Sequence, residues 1–105
     1  MRNITVAAIQ MQCSPSVEEN IAKADRMVRK AAANGANVIL LPELFERPYF
    51  CQERQYEYYA YATPTAENAA VCHFKAVAKE LGVVLPISFY EKAGTQLFNS
   101  IAVLD

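Results

Sequence analysis

The sequence has almost no net charge, which argues against partners that are bound mainly through opposite charge. Ten Lys and Arg side chains stand against eleven Asp and Glu side chains, which leaves a net charge of −1 at pH 7. A protein that binds nucleic acid or an anionic membrane through charge needs a basic patch, which this balance does not supply. No apolar run approaches the roughly 20 residues that cross a bilayer. We therefore expect no nucleic acid and no membrane as partners.

Cysteine and histidine are also scarce. The cysteines, Cys13, Cys51 and Cys72, are odd in number and form no C-x-x-C pair, and His73 is the single histidine. This pattern argues against a disulfide framework and against a metal site. The first ten residues lack the apolar stretch and the small-residue cleavage site of a signal peptide. We expect reduced thiols in a cytoplasmic protein.

Apolar residues, in contrast, are plentiful. They make up 53% of 105 residues, enough to build the core of one domain or of part of one. Their spacing predicts an α/β layered fold in the order β-α-β-α-β-β. The predicted elements are strand 4–11, a helix capped by Ser16 and Glu19 that ends at Asn34 and Gly35, strand 37–41, a helix capped by Thr63 or Thr65 that ends at Gly82, strand 83–90, a turn at 91–94 and strand 96–105.

Two further expectations concern how the sheet is covered. The segment "NVILL" is apolar without alternation, which suits a strand that is covered on both faces. The sequence stops at Asp105 directly after the apolar "SIAVL", whereas a closed domain usually ends in a polar tail or a docked helix. We expect a chain cut from something longer, with a sheet edge that needs another segment or another chain.

The stretch "VILLPELFERPYF" places an acid directly after a buried strand. Pro42 removes a donor from the sheet ladder, so the strand ends there and Glu43 stands at its carboxyl end. In open α/β sheets ligands bind at that edge, and the apolar neighbours Leu44 and Phe45 predict a partly desolvated carboxylate. Two interpretations stay open on these grounds, a proton-transferring base and the first solvent-facing residue after a core strand.

An ordered set of motifs resembles the carbon–nitrogen hydrolase (nitrilase) superfamily. The set is a first strand ending near Gln, "NGANVILLPELF", and the strand "LFNSIAVLD". Within that superfamily "PELFERPYFCQ" and "GVVLPISFYEKAG" resemble the amidases of N-carbamoylputrescine. The resemblance implies an α-β-β-α sandwich that cleaves carbon–nitrogen bonds with a Cys nucleophile, a Glu base and a Lys. It places the base at Glu43, and the Lys and the Cys beyond Asp105.

The same resemblance implies a small carbamoyl-amine substrate, no metal or organic cofactor, and assembly as a homo-oligomer through paired sandwiches. The products of N-carbamoylputrescine would be putrescine, ammonia and carbon dioxide. An alternative, favoured by the absence of the family's Lys and Cys, is a catalytically inactive fragment or a binding module that associates through its sheet edge.

Several other side chains are candidates for the site. Tyr49 and Phe50 can bind the aliphatic amine chain of a substrate, or they pack the loop onto the sheet. We interpret Cys51 as a thiol that lines the pocket rather than as the nucleophile. Asn99 is expected to bond main chain near the site, and Glu46 to pair with Arg47. The remaining interpretations are Cys13 and Cys72 as small apolar fillers, His73 as a flank residue of the second helix, and Tyr56, Tyr58, Tyr59 and Tyr61 as a pocket wall or a subunit contact.

Overall fold

The computed structural model describes residues 3–47 and 60–105, and the elements below belong to those two ranges. In chain order they are strand β1 (Val6–Ala8), helix α1 (Val17–Ala33), strand β2 (Val38–Leu40), a 3-10 turn (Thr65–Glu67), helix α2 (Ala69–Leu81), strand β3 (Leu85–Ala93) and strand β4 (Gln96–Leu104). The predicted fold class and element order are confirmed.

The strands form two pairs that meet at one bridge. β1 and β2 are parallel with Ala7 opposite Ile39, and β3 and β4 are antiparallel with Ile87 opposite Ala102. A parallel bridge between Val38 and Val84 joins the two pairs. The spatial order is therefore β1-β2-β3-β4, as expected for a parallel β-α-β start followed by a hairpin.

Helix α1 begins and ends where the sequence predicted. The amide of Glu19 donates to Ser16 Oγ at 3.2 Å, which satisfies one of the unpaired amides of the first turn. The return bond of the capping box is not made, because the Glu19 carboxylate accepts from Ser14 Oγ at 2.8 Å instead. Gly35 leaves the helix at a φ of +96°, in the region that favours glycine.

Helix α2 is capped by a residue that the sequence did not predict. Its N-cap is Asn68, whose side chain accepts from the amide of Val71 at 2.9 Å, so the prediction of Thr63 or Thr65 is wrong. Thr65 instead opens the 3-10 turn, and asparagine caps a helix at least as well as threonine. The predicted end at Gly82 is confirmed, with a φ of +66°.

The hairpin is longer than predicted. β3 continues through Glu91 to Ala93, and Ala93 pairs with Gln96, so only Gly94 and Thr95 remain in the loop. The predicted turn over 91–94 is therefore wrong, because Gly94 alone has the positive φ that the reversal requires.

Both helices lie on one side of the sheet, which we call the covered side. The side chains of Ala24, Val28, Ile39, Phe74, Leu85 and Ile87 meet there and are fully buried. The opposite, open side carries Val6, Leu40, Ile101 and Val103, which are 47–71% exposed. The expectation that strand 37–41 is covered on both faces is wrong for this chain, because no described element packs over Leu40.

Candidate active site

The predicted acid lies in a tight turn directly after β2. Residues 43–46 form this turn, and we call residues 43–47 the base turn. Leu44 and Phe45 point into the core with 4% and 0% of their surface exposed, and the ring of Phe45 meets Phe74 edge-on at 5.9 Å. The two apolar side chains that follow Glu43 therefore anchor the turn, and they leave the acid on the outside.

Glu43 itself is exposed. The expectation that its neighbours desolvate the carboxylate is wrong for this chain, because Leu44 and Phe45 turn away from it into the core. Its Oε1 accepts a hydrogen bond from Nδ2 of Asn99, which lies on β4. The Oε2 atom makes no hydrogen bond to the described part of the chain. Asn99 therefore holds the carboxylate by one oxygen and leaves the other available.

The side chain of Asn99 thus bonds the carboxylate of Glu43, so the prediction that it bonds main chain near the site is wrong. Asn99, Ile101 and Val103 are spaced two residues apart along β4, so all three face the open side of the sheet. Tyr90 is the cross-strand partner of Asn99 and shares that side. The carboxylate of Glu43 accordingly lies at the border between the carboxyl end of β2 and the open side.

The backbone of the base turn is bonded by side chains from the elements around it. The amide of Leu44 donates to Oγ of Ser88 on β3 at 3.0 Å, and Sγ of Cys13 donates to the carbonyl of Phe45 at 3.1 Å. Asn20 of α1 donates from Nδ2 to the carbonyl of Glu46 at 2.7 Å. These bonds hold Leu44 at a φ of +51°, a left-handed conformation that costs a residue with a Cβ about 1 kcal/mol.

Glu46 is the second acid of the turn, and its surroundings differ from those of Glu43. Its Oε1 accepts from Nδ2 of Asn68 at 2.7 Å. Burial raises the pKa of Glu46, and the hydrogen bond from Asn68 and the charge of Arg47 partly offset that rise. The predicted Glu46–Arg47 ion pair does not form, because the Arg47 guanidinium lies 3.9 Å from the ring centroid of Tyr61.

A small depression, open to solvent, adjoins the base turn. Its walls come from the turn, from β3 and from the segment before α2: Leu44, Glu46, Arg47, Tyr61, Phe89 and Tyr90. Glu43 does not line it. The structure therefore brings the two acids of the turn to two different surfaces.

The remaining candidates fall into three groups. Six of them lie outside the described residues, so their predicted roles stay predictions: Tyr49, Phe50, Cys51, Tyr56, Tyr58 and Tyr59. Burial raises the pKa of the Cys13 thiol, in keeping with a filler role, whereas Cys72 is exposed and donates to the carbonyl of Ala66, so that prediction is wrong. His73 lies on the flank of α2 as predicted, and its Nε2 lies 2.5 Å from Oδ2 of Asp25.

Two buried amides around the base turn, Asn20 and Asn68, were not predicted from the sequence. Asn20 is 1% exposed and shares one helical stripe with the buried residues Ala24 and Val28, each one turn further on. A polar side chain on an apolar stripe needs a buried partner, and that signal was present. Asn68 was overlooked because two nearby threonines, Thr63 and Thr65, are also suitable N-cap residues.

Within the described ranges no set of three His, Cys, Asp or Glu side chains is grouped as a metal would require. Neither helix of those ranges is long and apolar enough to cross a membrane.

Comparison with known proteins fits this arrangement. The family model of the carbon–nitrogen hydrolases matches residues 5–105. An N-carbamoylputrescine amidase from Arabidopsis thaliana is 44% identical over 104 residues, which cover 99% of this chain and 35% of the relative. A citrullinase from Francisella tularensis is 39% identical over 105 residues, which cover all of this chain and 37% of the relative. A carbon–nitrogen hydrolase structure from Helicobacter pylori superposes with a TM-score of 0.84 at 25% identity, over 95% of this chain and 35% of the other.

The match to the family model spans nearly the whole chain, and the fold agrees with it. The chain belongs to the carbon–nitrogen hydrolase family. It is similar along its whole length to N-carbamoylputrescine amidases, and it spans 35% of the length of those relatives.

Proposed function

We propose that this chain is the N-terminal, base-bearing portion of an amidohydrolase whose substrate is N-carbamoylputrescine. The observation that carries the proposal is the Glu43 carboxylate, bonded through one oxygen to Asn99 at the carboxyl end of β2. Similarity to N-carbamoylputrescine amidases over 99% of the chain supports the choice of substrate. The proposal extends to a homo-oligomer in the cytoplasm that acts in polyamine biosynthesis.

In this proposal Glu43 transfers protons in both halves of the reaction. It accepts the proton of a cysteine thiol supplied by the part of the protein after Asp105, and the thiolate attacks the carbamoyl carbon. The amine leaves with the proton that Glu43 took from the thiol, and the carbamoyl group stays on sulfur. Glu43 then takes a proton from water, whose oxygen displaces the thiolate, and the carbamate that results decomposes to ammonia and carbon dioxide.

The geometry around Glu43 suits that role. The amide of Asn99 fixes one carboxylate oxygen, and the other is free to face a thiol or a water molecule. The exposure of Glu43 follows from the open side of the sheet, which the expected second sheet of an α-β-β-α sandwich would cover. A cover of that kind would desolvate the carboxylate and strengthen its interactions with the reacting groups.

The substrate is tested with the purified full-length protein that carries this chain. Ammonia release is compared for N-carbamoylputrescine, for citrulline and for a simple aliphatic amide. Citrulline has a similar ureido group, but its tail carries a carboxylate in addition to the ammonium. We expect kcat/KM for N-carbamoylputrescine to exceed that for citrulline by about 100-fold, because an unpaired carboxylate in the site is costly. Preference for citrulline or for the simple amide would reject the proposed substrate.

A second candidate function is a binding module, and the exposed apolar side chains on β1 and β4 favour it. Val6 at the start of β1 and Val103 near the end of β4 are 71% and 66% exposed, and exposed apolar side chains on a sheet can mark an interaction surface. On this hypothesis the 105-residue chain associates with another chain and releases no ammonia. Ammonia release by the isolated chain, abolished by Cys51→Ala, would reject both this hypothesis and our interpretation of Cys51.

A further inference from the structure

The base turn is fastened to the start of α2 by one pair of side chains. Asn68 is 2% exposed, and its side chain makes three hydrogen bonds. Its Oδ1 accepts from the amide of Val71, and its Nδ2 donates to Oε1 of Glu46 at 2.7 Å and to Oγ1 of Thr63 at 2.9 Å. One side-chain amide therefore caps the helix and bonds the base turn at the same time.

Glu46, the acid that Asn68 bonds, lies where a carboxylate contributes little to stability. Glu46 is half-buried, has no ion pair within the described ranges, and receives one side-chain hydrogen bond, from a neutral amide. A half-buried carboxylate without an ion pair loses part of its hydration, so it stabilises a fold less than a neutral side chain of the same shape would. Its placement therefore calls for a role other than packing.

That role is suggested by what lies on either side of Glu46. Its carbonyl accepts from Asn20 of α1, and its side chain accepts from Asn68 at the start of α2. The turn thus ends in a residue held by both helices, and it begins in Glu43, which is held by Asn99 of β4. Leu44 between them has a left-handed backbone, so the turn needs restraint at both ends to keep its shape.

We propose that Glu46 and Asn68 form a positioning pair, which locks the base turn onto the N-terminus of α2 and so fixes the carboxylate of Glu43 for proton transfer. The inference rests on the proposed function only in its last step, the role of Glu43. The pair acts through the backbone of the turn and does not touch substrate. It adds Glu46 and Asn68 to the residues on which turnover depends.

The pair is tested by exchanging its donor and acceptor in the full-length protein. Asn68→Asp keeps an oxygen for the amide of Val71, removes the donor to Glu46 and places two carboxylates face to face. Because a small misplacement of a catalytic group lowers the rate of the chemical step strongly, we expect kcat to fall about 30-fold or more while KM changes less than about threefold. Asn34→Asp, the same change at an exposed position after α1, serves as the control for added charge.

The double variant Asn68→Asp with Glu46→Gln rebuilds the bond with reversed polarity. The amide of Gln then donates to the carboxylate at position 68, and the repulsion disappears. We expect kcat to return to within about threefold of wild type, a coupling that two independent sites would not show. Asn68→Ser, which can still cap the helix but is too short to reach Glu46, gives an uncharged form of the same test if Asn68→Asp does not fold.

Amide hydrogen exchange at Leu44 provides a readout that needs no activity. This amide belongs to the base turn and donates to Oγ of Ser88 on β3, so its protection reports whether the turn is closed. We expect exchange to accelerate about tenfold in Asn68→Asp and to recover in the double variant, because local opening controls it. If the wild-type protein hydrolyses no carbamoyl amine, the proposed function fails, and the exchange data still decide the clamping of the turn.

Two results would overturn the positioning pair. One is a lowered melting temperature in Asn68→Asp or Asn68→Ser with kcat and Leu44 exchange unchanged, which would leave Asn68 only its role as a helix cap. The other is a double variant that stays as slow as Asn68→Asp, which would show that the two residues do not act through each other.

Discussion

The covered and open sides of the same four strands differ sharply. On the covered side two helices bury Ile39, Leu85 and Ile87 completely, whereas on the open side Val6, Ile101 and Val103 are mostly in solvent. Alternation along each strand sends neighbouring residues to opposite sides, so the difference arises from the cover and not from composition. The two acids of the base turn also differ, because Glu46 is half-buried and bonded to α1 and α2, whereas Glu43 is exposed at the border of the open side.

The contrast shows that, within the described residues, one face of the sheet is fully packed, which we call the finished interface, and the other is not packed, which we call the unfinished interface. Three polar side chains bond the base turn: Asn20 and Asn68 belong to the helices of the covered side, whereas Ser88, opposite Ile101 on β4, projects from the sheet to the open side. The unfinished interface presents Glu43 and Asn99 among exposed apolar side chains. In an α-β-β-α sandwich a second sheet packs on that side, which is what the family fold leads us to expect for the full-length protein.

The largest effect is expected from a matched pair of isoleucines in the full-length protein. Ile87→Ala on the covered side should reduce the free energy of unfolding by about 2–5 kcal/mol, because it empties a fully buried site. Ile101→Ala on the open side should cost about 2 kcal/mol or more, provided that a second sheet covers it. Denaturant unfolding measures both. A loss below about 0.5 kcal/mol for Ile101→Ala would mean that the open side stays uncovered.

Removal of one of the polar side chains that bond the base turn should have the next largest effect. Ser88→Ala leaves the buried amide of Leu44 without an acceptor, which should cost about 1–3 kcal/mol and also slow turnover. Ser100→Ala is the matched control on β4, since its hydroxyl donates to the partly exposed Glu91. Equal losses of stability and of kcat in the two variants would contradict a special role for Ser88.

A smaller, pH-dependent effect is expected where α1 meets α2. Partial burial alone raises the pKa of Asp25, but hydrogen bonds from His73 and Arg29 outweigh this and lower it. A lowered pKa stabilises the fold at pH values above the ordinary range of Asp, and the contribution is lost as pH falls through the folded-state pKa. Asp25→Asn should therefore cost up to about 1 kcal/mol near pH 6 and nothing in strong acid. Thermal melts across pH check this, and a pH-independent cost would contradict it.

The smallest effect, of opposite sign, is expected at Glu46. Burial raises the pKa of this carboxyl, so the folded state disfavours its charge, and the stability of the wild type falls as pH rises through that raised pKa. Glu46→Gln has no such dependence and should be slightly more stable than the wild type at neutral pH. Melts at pH 4 and pH 8 measure the difference, and a loss of stability at pH 8 alone would contradict the assignment.

Much of the fold was predictable because local rules and tertiary packing agree. Pro42 ended β2 as expected, Gly82 ended α2, and the hairpin of β3 and β4 formed. What failed depended on distant partners. Asn68 rather than a threonine caps α2 because it also bonds Glu46, and the exposure of Leu40 depends on a cover that no local pattern specifies.

The candidate site was predictable only in part, and for a similar reason. The position of Glu43 follows from a proline and a strand end, which are local signals. Its bond to Asn99 joins residues 56 positions apart, and the bonds of Glu46 to Asn20 and Asn68 cross 26 and 22 positions. Spacing along the chain carries no information on such pairs unless a polar residue interrupts an apolar stripe, as Asn20 does.

The most direct test of the account is ammonia release from N-carbamoylputrescine by Glu43→Gln in the full-length protein. Because the amide of the variant cannot accept a proton, kcat should fall by about 100- to 10,000-fold. The melting temperature should not change. Glu67→Gln, the same change on the exposed 3-10 turn, should keep wild-type activity. Turnover by Glu43→Gln within about twofold of wild type would contradict the central claim that this carboxylate is the base.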